Sequence, residues 1–209
     1  QDAPLTEPLL PLFPLSLVLF PSTNLLLHIF EERYKEMIQD CLQNQWEFGV
    51  LLVQNGSFEN IGCTASISEV LHRYPDGRMN ILVRGQRRFE ISMLDQEKSY
   101  LRGKPQFFED EETEPPGEES RQQAIQLYHR LTELLKSPDR PRREPLPTFS
   151  DQQLSFQLMA QLPSDLGGKQ RLLELRSERE RLDRVIRYMR QLIDFLERAP
   201  GQRDPAGMA

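Results

Sequence analysis

Residues 11–30 read PLFPLSLVLFPSTNLLLHIF, the greasiest stretch of the chain. A membrane-spanning helix needs about 20 apolar residues without strong breakers. Here Pro11, Pro14 and Pro21 interrupt the run, and a proline in a helix interior costs about 3 kcal/mol. A secretory signal would open with basic residues. Instead Asp2 and Glu7 precede this run, and the first basic residue is Arg33. The stretch therefore predicts two strands, roughly 10–19 and 25–30, joined by the polar turn Pro21-Ser22-Thr23-Asn24. The chain opens on Gln1 rather than Met, which points to a trimmed N terminus.

Downstream, Tyr34, Met37, Ile38, Cys41 and Leu42 recur at i, i+3, i+4, i+7 and i+8. That spacing predicts an amphipathic helix over 31–45. Glu31 and Glu32 stand in its first turn, where the helix dipole favours negative charge. WEFGVLLV, residues 46–53, reads as a central strand, and Asn55-Gly56 begins a loop. From Ile61 to Ile67 apolar and polar residues alternate; then the phase slips to Val70, His72 and Tyr74, which predicts a β-bulge near Glu69. Pro75-Asp76-Gly77 is a turn signal. Met79, Ile81 and Val83 alternate again, Gly85 marks a bend, and Phe89, Ile91 and Met93 continue. A last strand is expected over 100–108. Many short strands separated by turn signals imply a barrel or a strongly curved sheet.

At Glu109 the character changes. Acidic residues crowd around Pro115-Pro116-Gly117, which predicts a solvated linker; the sharper reading is an acidic strip for a basic partner. The remainder reads helical: 120–137, then a Pro- and Arg-rich loop over 138–147, a helix capped by Ser150, a short one after Pro163, and a last one to about Arg198. Leu182, Ile186, Met189, Ile193 and Leu196 form an a/d stripe on that last helix. The stripe predicts packing within a bundle, with a partner helix as the alternative.

Composition narrows the function. At 38% hydrophobic and 28% charged, the 209 residues suit a soluble globular chain. The net charge of −6 argues against nucleic acid, which calls for a basic face. Two cysteines, Cys41 and Cys63, lack CxxC spacing and suit buried thiols in a reducing, cytoplasmic setting. Gly167-Gly168-Lys169 lacks the rest of a phosphate loop, and neither GxSxG nor HExxH occurs. His28, His72 and His129 have no ligand spacing. The expectation is a chain without cofactor, metal or catalytic constellation, most simply a binding module.

Specific words of the sequence add a family. Pro14-Leu15 with Val18-Leu19-Phe20-Pro21, Leu25 to Leu27, and Ile29-Phe30-Glu31 with Arg33-Tyr34 resemble the N-terminal domain of the Lon (La) ATP-dependent proteases. Ile61-Gly62 with Thr64-Ala65 and Ile67 resembles that family's glycine-threonine-alanine strand. Asp76-Gly77 with Ile81-Leu82-Val83, Gly85 and Arg88-Phe89 resembles its next hairpin. Ser22 stands where the family usually has Gly, Leu26 where it often has Pro, and Glu32 where Pro commonly follows the Glu. Ser22 therefore asks for a turn that does not depend on positive φ. The 209 residues contain neither an ATPase nor a peptidase module, so the expectation is a chain resembling the stand-alone Lon substrate-binding-domain proteins.

The resemblance implies an α+β fold, a PUA-like β-barrel followed by a helical bundle; with the composition, the expected layout is a barrel subdomain with one helix over 1–110, an acidic linker over 111–119, a helical subdomain over 120–199 and a disordered tail over 200–209. It implies a non-catalytic polypeptide-recognition or adaptor module whose partner is an unfolded or extended polypeptide, or another protein. Phe30 and Tyr34 are expected to anchor the first helix, Glu31 to cap it, and Arg33 to pair with an acid across the sheet. Gly62 and Gly85 are expected to permit close backbone approach. Leu26, Phe58, Tyr74 and Met79 lie in or beside predicted loops and hairpin ends, and are the candidate polypeptide contacts. The alternative is a PUA-like RNA-binding module using Arg73, Arg78, Arg84, Arg87 and Arg88, which concentrate in one hairpin. The oligomeric state stays open.

Overall fold

A computed structural model describes residues 8–111, 114–136 and 153–198. The Ser150 cap, the loop over 138–147 and the tail over 200–209 lie outside these residues. Contacts divide the chain into two compact units, 1–109 with 160–174, and 110–159 with 175–209. The helical region predicted over 120–199 is thus interrupted. Residues 160–174 go with the barrel because Gln170 Nε2 donates to the Ile61 carbonyl at 3.0 Å and Arg88 Nη1 donates to the Leu173 carbonyl at 3.1 Å.

In the first unit, strand β1 (Leu10–Leu15) lies parallel to β3 (Phe48–Gln54), with Leu12 opposite Gly49, and antiparallel to β7 (Arg102–Phe108). β3 continues to β5 (Ile61–Arg73), β5 to β6 (Met79–Asp95), and β6 to β7. The ring closes through β1, which joins β3 to the start of β7. Leu10, Leu12, Leu51, Phe89 and Ile91 form a buried cluster of this barrel. Strand β2 (Asn24–Ile29) pairs only with the first part of β6, so it is an edge strand among the described residues. The bulge expected near Glu69 is present as a register shift between Ile67 and Glu69, with further shifts after Cys63 and Val70.

The first strand is shorter than predicted and ends at Leu15. Beyond it the chain is clamped onto β6. Leu19 and Phe20 are buried. Ser22 N–H donates to the Gly85 carbonyl at 2.9 Å, and Gly85 N–H donates to the Thr23 carbonyl at 2.8 Å. Thr23 Oγ1 closes the turn on the Phe20 carbonyl at 2.7 Å. A Cβ at Gly85 would collide with the Phe20 carbonyl, and one at Gly62 with the Val50 carbonyl, so both glycines serve close backbone approach as expected. The expectation for Ser22 does not hold. Its φ is +60°, the left-handed conformation, because the two bonds to Gly85 dictate the path of the loop. Ser22→Gly is therefore expected to raise stability by about 0.5–1 kcal/mol, read by urea unfolding, since glycine meets no Cβ penalty there. A loss of stability would show that the serine side chain does more than endure the turn.

Helix α1 (Glu32–Asn44) buries Tyr34, Met37, Ile38 and Cys41 of the predicted stripe, and Leu42 is half-buried. Tyr34 stacks on Phe13 at 4.1 Å between ring centroids. Phe30, expected to be a second anchor, is 59% exposed. Glu31 occupies the N-cap position with no side-chain capping bond; its carboxylate accepts from Arg33 Nε at 3.1 Å, so Arg33 pairs two residues away rather than across the sheet. Asn55 and Gly56 both have positive φ, +53° and +79°, and make a tight hairpin from β3 into the short strand β4 (Ser57–Phe58) rather than opening a loop. Helices α3 (Leu154–Gln161) and α4 (Leu166–Glu174) come later in the chain; α4 belongs to this unit.

In the second unit, α2 (Glu118–Leu134) packs along α5 (Glu178–Arg198). The α5 stripe is buried at Leu182, Ile186, Met189 and Ile193, joined by Val185, and α2 buries Ala124, Tyr128 and Leu131. The stripe thus packs within the chain. The acidic segment is not simply solvated. Asp110 forms a bidentate pair with Arg181, at 2.6 and 2.7 Å, while Glu111 and Glu114 pair with Arg176 and Arg179. Arg181 itself is fully buried. No described helix is long and apolar enough to cross a membrane.

Candidate apolar recognition face

The two outer neighbours of β6's first part, β2 and the end of β5, make a three-stranded antiparallel sheet with it. Cross-strand partners share a face. Leu26 lies opposite Leu82, which lies opposite Glu69; His28 lies opposite Asn80, which lies opposite His72. The alternate residues Leu27, Ile29, Met79, Ile81 and Val83 are buried. Period-2 alternation therefore sends Leu26 and His28 outward.

On this outer face the rings hold each other. His28 Nδ1–H donates to Asn80 Oδ1 at 2.6 Å, and Asn80 Nδ2 donates to Tyr74 Oη at 3.3 Å. Tyr74 takes the rings of His72 and His28 edge-on, at 4.4 and 5.9 Å. Phe30 stacks beside His28 at 5.8 Å. Arg78 lies 4.6 Å over Tyr74 and binds Asp76 at 2.7 Å. The backbone N–H and the guanidinium of Arg78 hold the Asp76 carboxyl below the usual carboxylate range. Leu26, 66% exposed, has no such partners. Leu71, the extra residue between the registers of Val70 and His72, is also exposed. The result is a cluster of mutually contacting rings, with exposed leucines on an edge strand and at a bulge.

The sequence candidates separate on this geometry. Leu26 and Tyr74 are on the face. Met79 is 4% exposed, pairs with Ile29 and Arg73 at the start of β6, and presents nothing to a partner. Phe58 is half-buried and packs on the Leu10, Leu12, Leu51, Phe89 and Ile91 cluster, because the hairpin at Asn55-Gly56 folds it back. Phe30 and Leu71 are exposed apolar side chains that sequence reasoning does not single out. Phe30 reads as an anchor in the sequence, and only the position of Leu71 beside the phase slip flags it.

Of the five arginines of the alternative reading, Arg78 and Arg87 are answered by carboxylates and Arg88 is buried. Arg88 is buried on the Leu173 carbonyl and lies 4.8 Å from the centre of the Phe108 ring. Arg87 pairs with Glu47 at 2.9 Å. Arg78 is answered by Asp76, Arg84 donates to Asn24 Oδ1 at 3.4 Å, and Arg73 contacts the Met79 sulfur. The thiols are buried as expected: burial pushes Cys41 up to about 12 and Cys63 higher still. No group of three or more His, Cys, Asp or Glu residues that could hold a metal ion occurs among the described residues.

Comparison with known proteins is specific. The family model of the ATP-dependent protease La (LON) substrate-binding domain matches residues 9–191. The Lon protease of Cytophaga hutchinsonii is 24% identical over 208 residues, which cover 94% of this chain and 25% of that protein. Lon protease 1 of Hydrogenovibrio crunogenus is 30% identical over 140 residues, 65% of this chain and 17% of that protein. The chain thus spans a quarter or less of the length of these relatives. The crystal structure of a Lon N-terminal domain protein from Xanthomonas campestris superposes with a TM-score of 0.68 at 25% identity, covering 88% of this chain and 99% of that one. The N-terminal domain of the Mycobacterium avium complex Lon protease shares the fold, with a TM-score of 0.60 at 15% identity, over 87% of this chain and 98% of that one.

Proposed function

Since the chain belongs to the family of the ATP-dependent protease La (Lon) substrate-binding domain, we propose that it recognises exposed apolar segments of polypeptides, without catalysis, on the outer face of the β2–β6–β5 sheet. Such a module would act as a substrate-recognition or adaptor element for an ATP-dependent protease. One observation carries the siting: Leu26, on edge strand β2, leaves 66% of its surface in water. A large aliphatic side chain on an unpaired strand edge offers an apolar contact and a backbone that can take up an extended chain.

Magnitudes suit a recogniser of many sequences. Burying a leucine or phenylalanine side chain yields about 1.5–3 kcal/mol. Leu26 and Phe30 together supply a few kcal/mol, against the cost of ordering a flexible chain. Binding should be weak, fast in exchange and indifferent to salt.

The test is the binding of a chemically unfolded, fluorescently labelled polypeptide and of its folded form, at two salt concentrations. Preference for the unfolded form that survives high salt is expected. Leu26→Asp should weaken it at least tenfold, since it removes the apolar contact and would desolvate a carboxylate. Arg84→Gln should leave it unchanged. Equal or absent binding of both forms would overturn the reading.

A further inference from the structure

A groove of about 800 Å³ lies on the first unit and shares no residue with the β2–β6–β5 face. Its making starts at the end of α1. Gln45 adopts the left-handed conformation, φ +57°, and Trp46 N–H caps the helix on the Cys41 carbonyl at 3.0 Å. The chain turns there, and Trp46 is left 43% exposed in the groove wall. Phe107 of β7, 42% exposed, provides a second aromatic surface. The Arg87 guanidinium lies 3.9 Å from the centre of that ring and is neutralised by Glu47. Lys104 also lines the groove, and its ammonium has no acidic partner among the described residues. In a chain of net charge −6, this groove carries one unanswered positive charge.

The backbone adds direction. β7 pairs with β6 along its length but with β1 only at Arg102 and Gly103. From Lys104 to Phe108 one edge of β7 has no strand beside it among the described residues, and Lys104 to Phe107 line the groove. Its volume lies within the roughly 300–1,000 Å³ of ligand sites. Trp and Arg are enriched in binding hot spots, and Phe is enriched at interfaces.

We propose that this groove takes an extended peptide segment that packs an apolar side chain on Trp46 and Phe107 and pairs a carboxylate with Lys104. The inference rests on the reading of the chain as a polypeptide binder, and places a second contact outside the Leu26 face. Trp46 is the only tryptophan of the chain, so its fluorescence reports this groove alone.

The experiment is a titration of the full chain with a blocked ten-residue peptide alternating Leu or Phe with Glu, and with its Gln counterpart. A saturable change in Trp46 emission is expected, with the Glu peptide about two- to fivefold tighter, the scale of one exposed ion pair. Lys104→Gln should remove that preference and leave the Gln peptide unaffected. Leu26→Asp should leave the titration unchanged while weakening capture of the unfolded polypeptide, so failure of the groove and failure of the face are distinguishable. No change in emission, or a Glu preference that persists in Lys104→Gln, would overturn the proposal. So would an emission change with protein concentration alone, which would assign the groove to a second copy.

Discussion

Replacing Arg181 with leucine is expected to destabilise the helical unit by about 3 kcal/mol, more than any other single change on α5. Arg181 has no exposed surface. It forms a bidentate pair with Asp110, donates to Glu178 Oε2 and Ser155 Oγ, satisfies the Leu175 carbonyl at 2.7 Å, and lies 4.3 Å from the centre of the Phe156 ring. Glu178 in turn accepts from Ser155 N–H at 2.9 Å and from its hydroxyl at 2.6 Å. Taking the guanidinium away strips both carboxylates of the charged bonds it makes to them. Breaking a buried pair from one side costs about 3–5 kcal/mol. Asp110 and Glu178 keep 23% and 13% of their side-chain surface, so water reaches them and the lower end applies. Removing all three charges together, with Asp110→Asn and Glu178→Gln beside Arg181→Met, should restore most of the loss, because neither carboxylate then stays charged beside the missing guanidinium. Urea unfolding of these variants decides the matter. A loss below about 1 kcal/mol for Arg181→Leu would mean that the network contributes only what a surface pair does.

Gly85→Ala carries the second large effect, an expected loss of about 3–5 kcal/mol, from overpacking at about 1–3 kcal/mol and each lost hydrogen bond at about 1 kcal/mol more. The added methyl would stand against the Phe20 carbonyl, 2.9 Å from its carbon and 3.3 Å from Leu19 Cγ. Backbone cannot give way as the tip of a side chain can. The loop over 20–23 would have to move, and the two bonds joining Ser22 and Thr23 to Gly85 would be lost with the fit. Gly117→Ala is the control, for a Cβ there meets nothing within 4 Å and φ is −62°; a few tenths of a kcal/mol is expected from its N-cap position. The loop leads directly into β2, so Gly85→Ala should also weaken unfolded-polypeptide binding through displacement of Leu26. Thermal unfolding of the two variants, read together, checks the difference. Equal midpoints would show that the loop yields freely.

Much of the first unit is legible residue by residue. Proline placement forbids a spanning helix, and the i, i+3, i+4 stripe of α1 is buried as its spacing predicts. The β5–β6 hairpin comes from alternation and Asp76-Gly77, and the bulge from a phase slip. These are local features, set by periodicities of 2 and 3.6 and by turn chemistry within a few residues. The a/d stripe of α5 is equally plain. The motif words reach the family because they combine such local features in one order.

The sites are less legible, for one physical reason. Alternation shows which residues share a face, but whether that face meets water depends on segments far away in the chain. Met79 and Leu26 are equivalent candidates in the sequence; pairing places one in the core and the other at an edge. Phe30 and Tyr34 look like twin anchors, yet Phe13 covers only Tyr34. Ser22 takes a left-handed conformation because Gly85, distant in sequence, holds both sides of its turn. Trp46, Arg87, Lys104 and Phe107 line one groove only because strands distant in sequence pair, and Arg181 reads as one more solvated charge until Asp110 reaches it. Sequence determined the elements and the family through short-range rules. Tertiary structure alone decided what is exposed, what is paired and where a partner could bind, because those are set by long-range contacts.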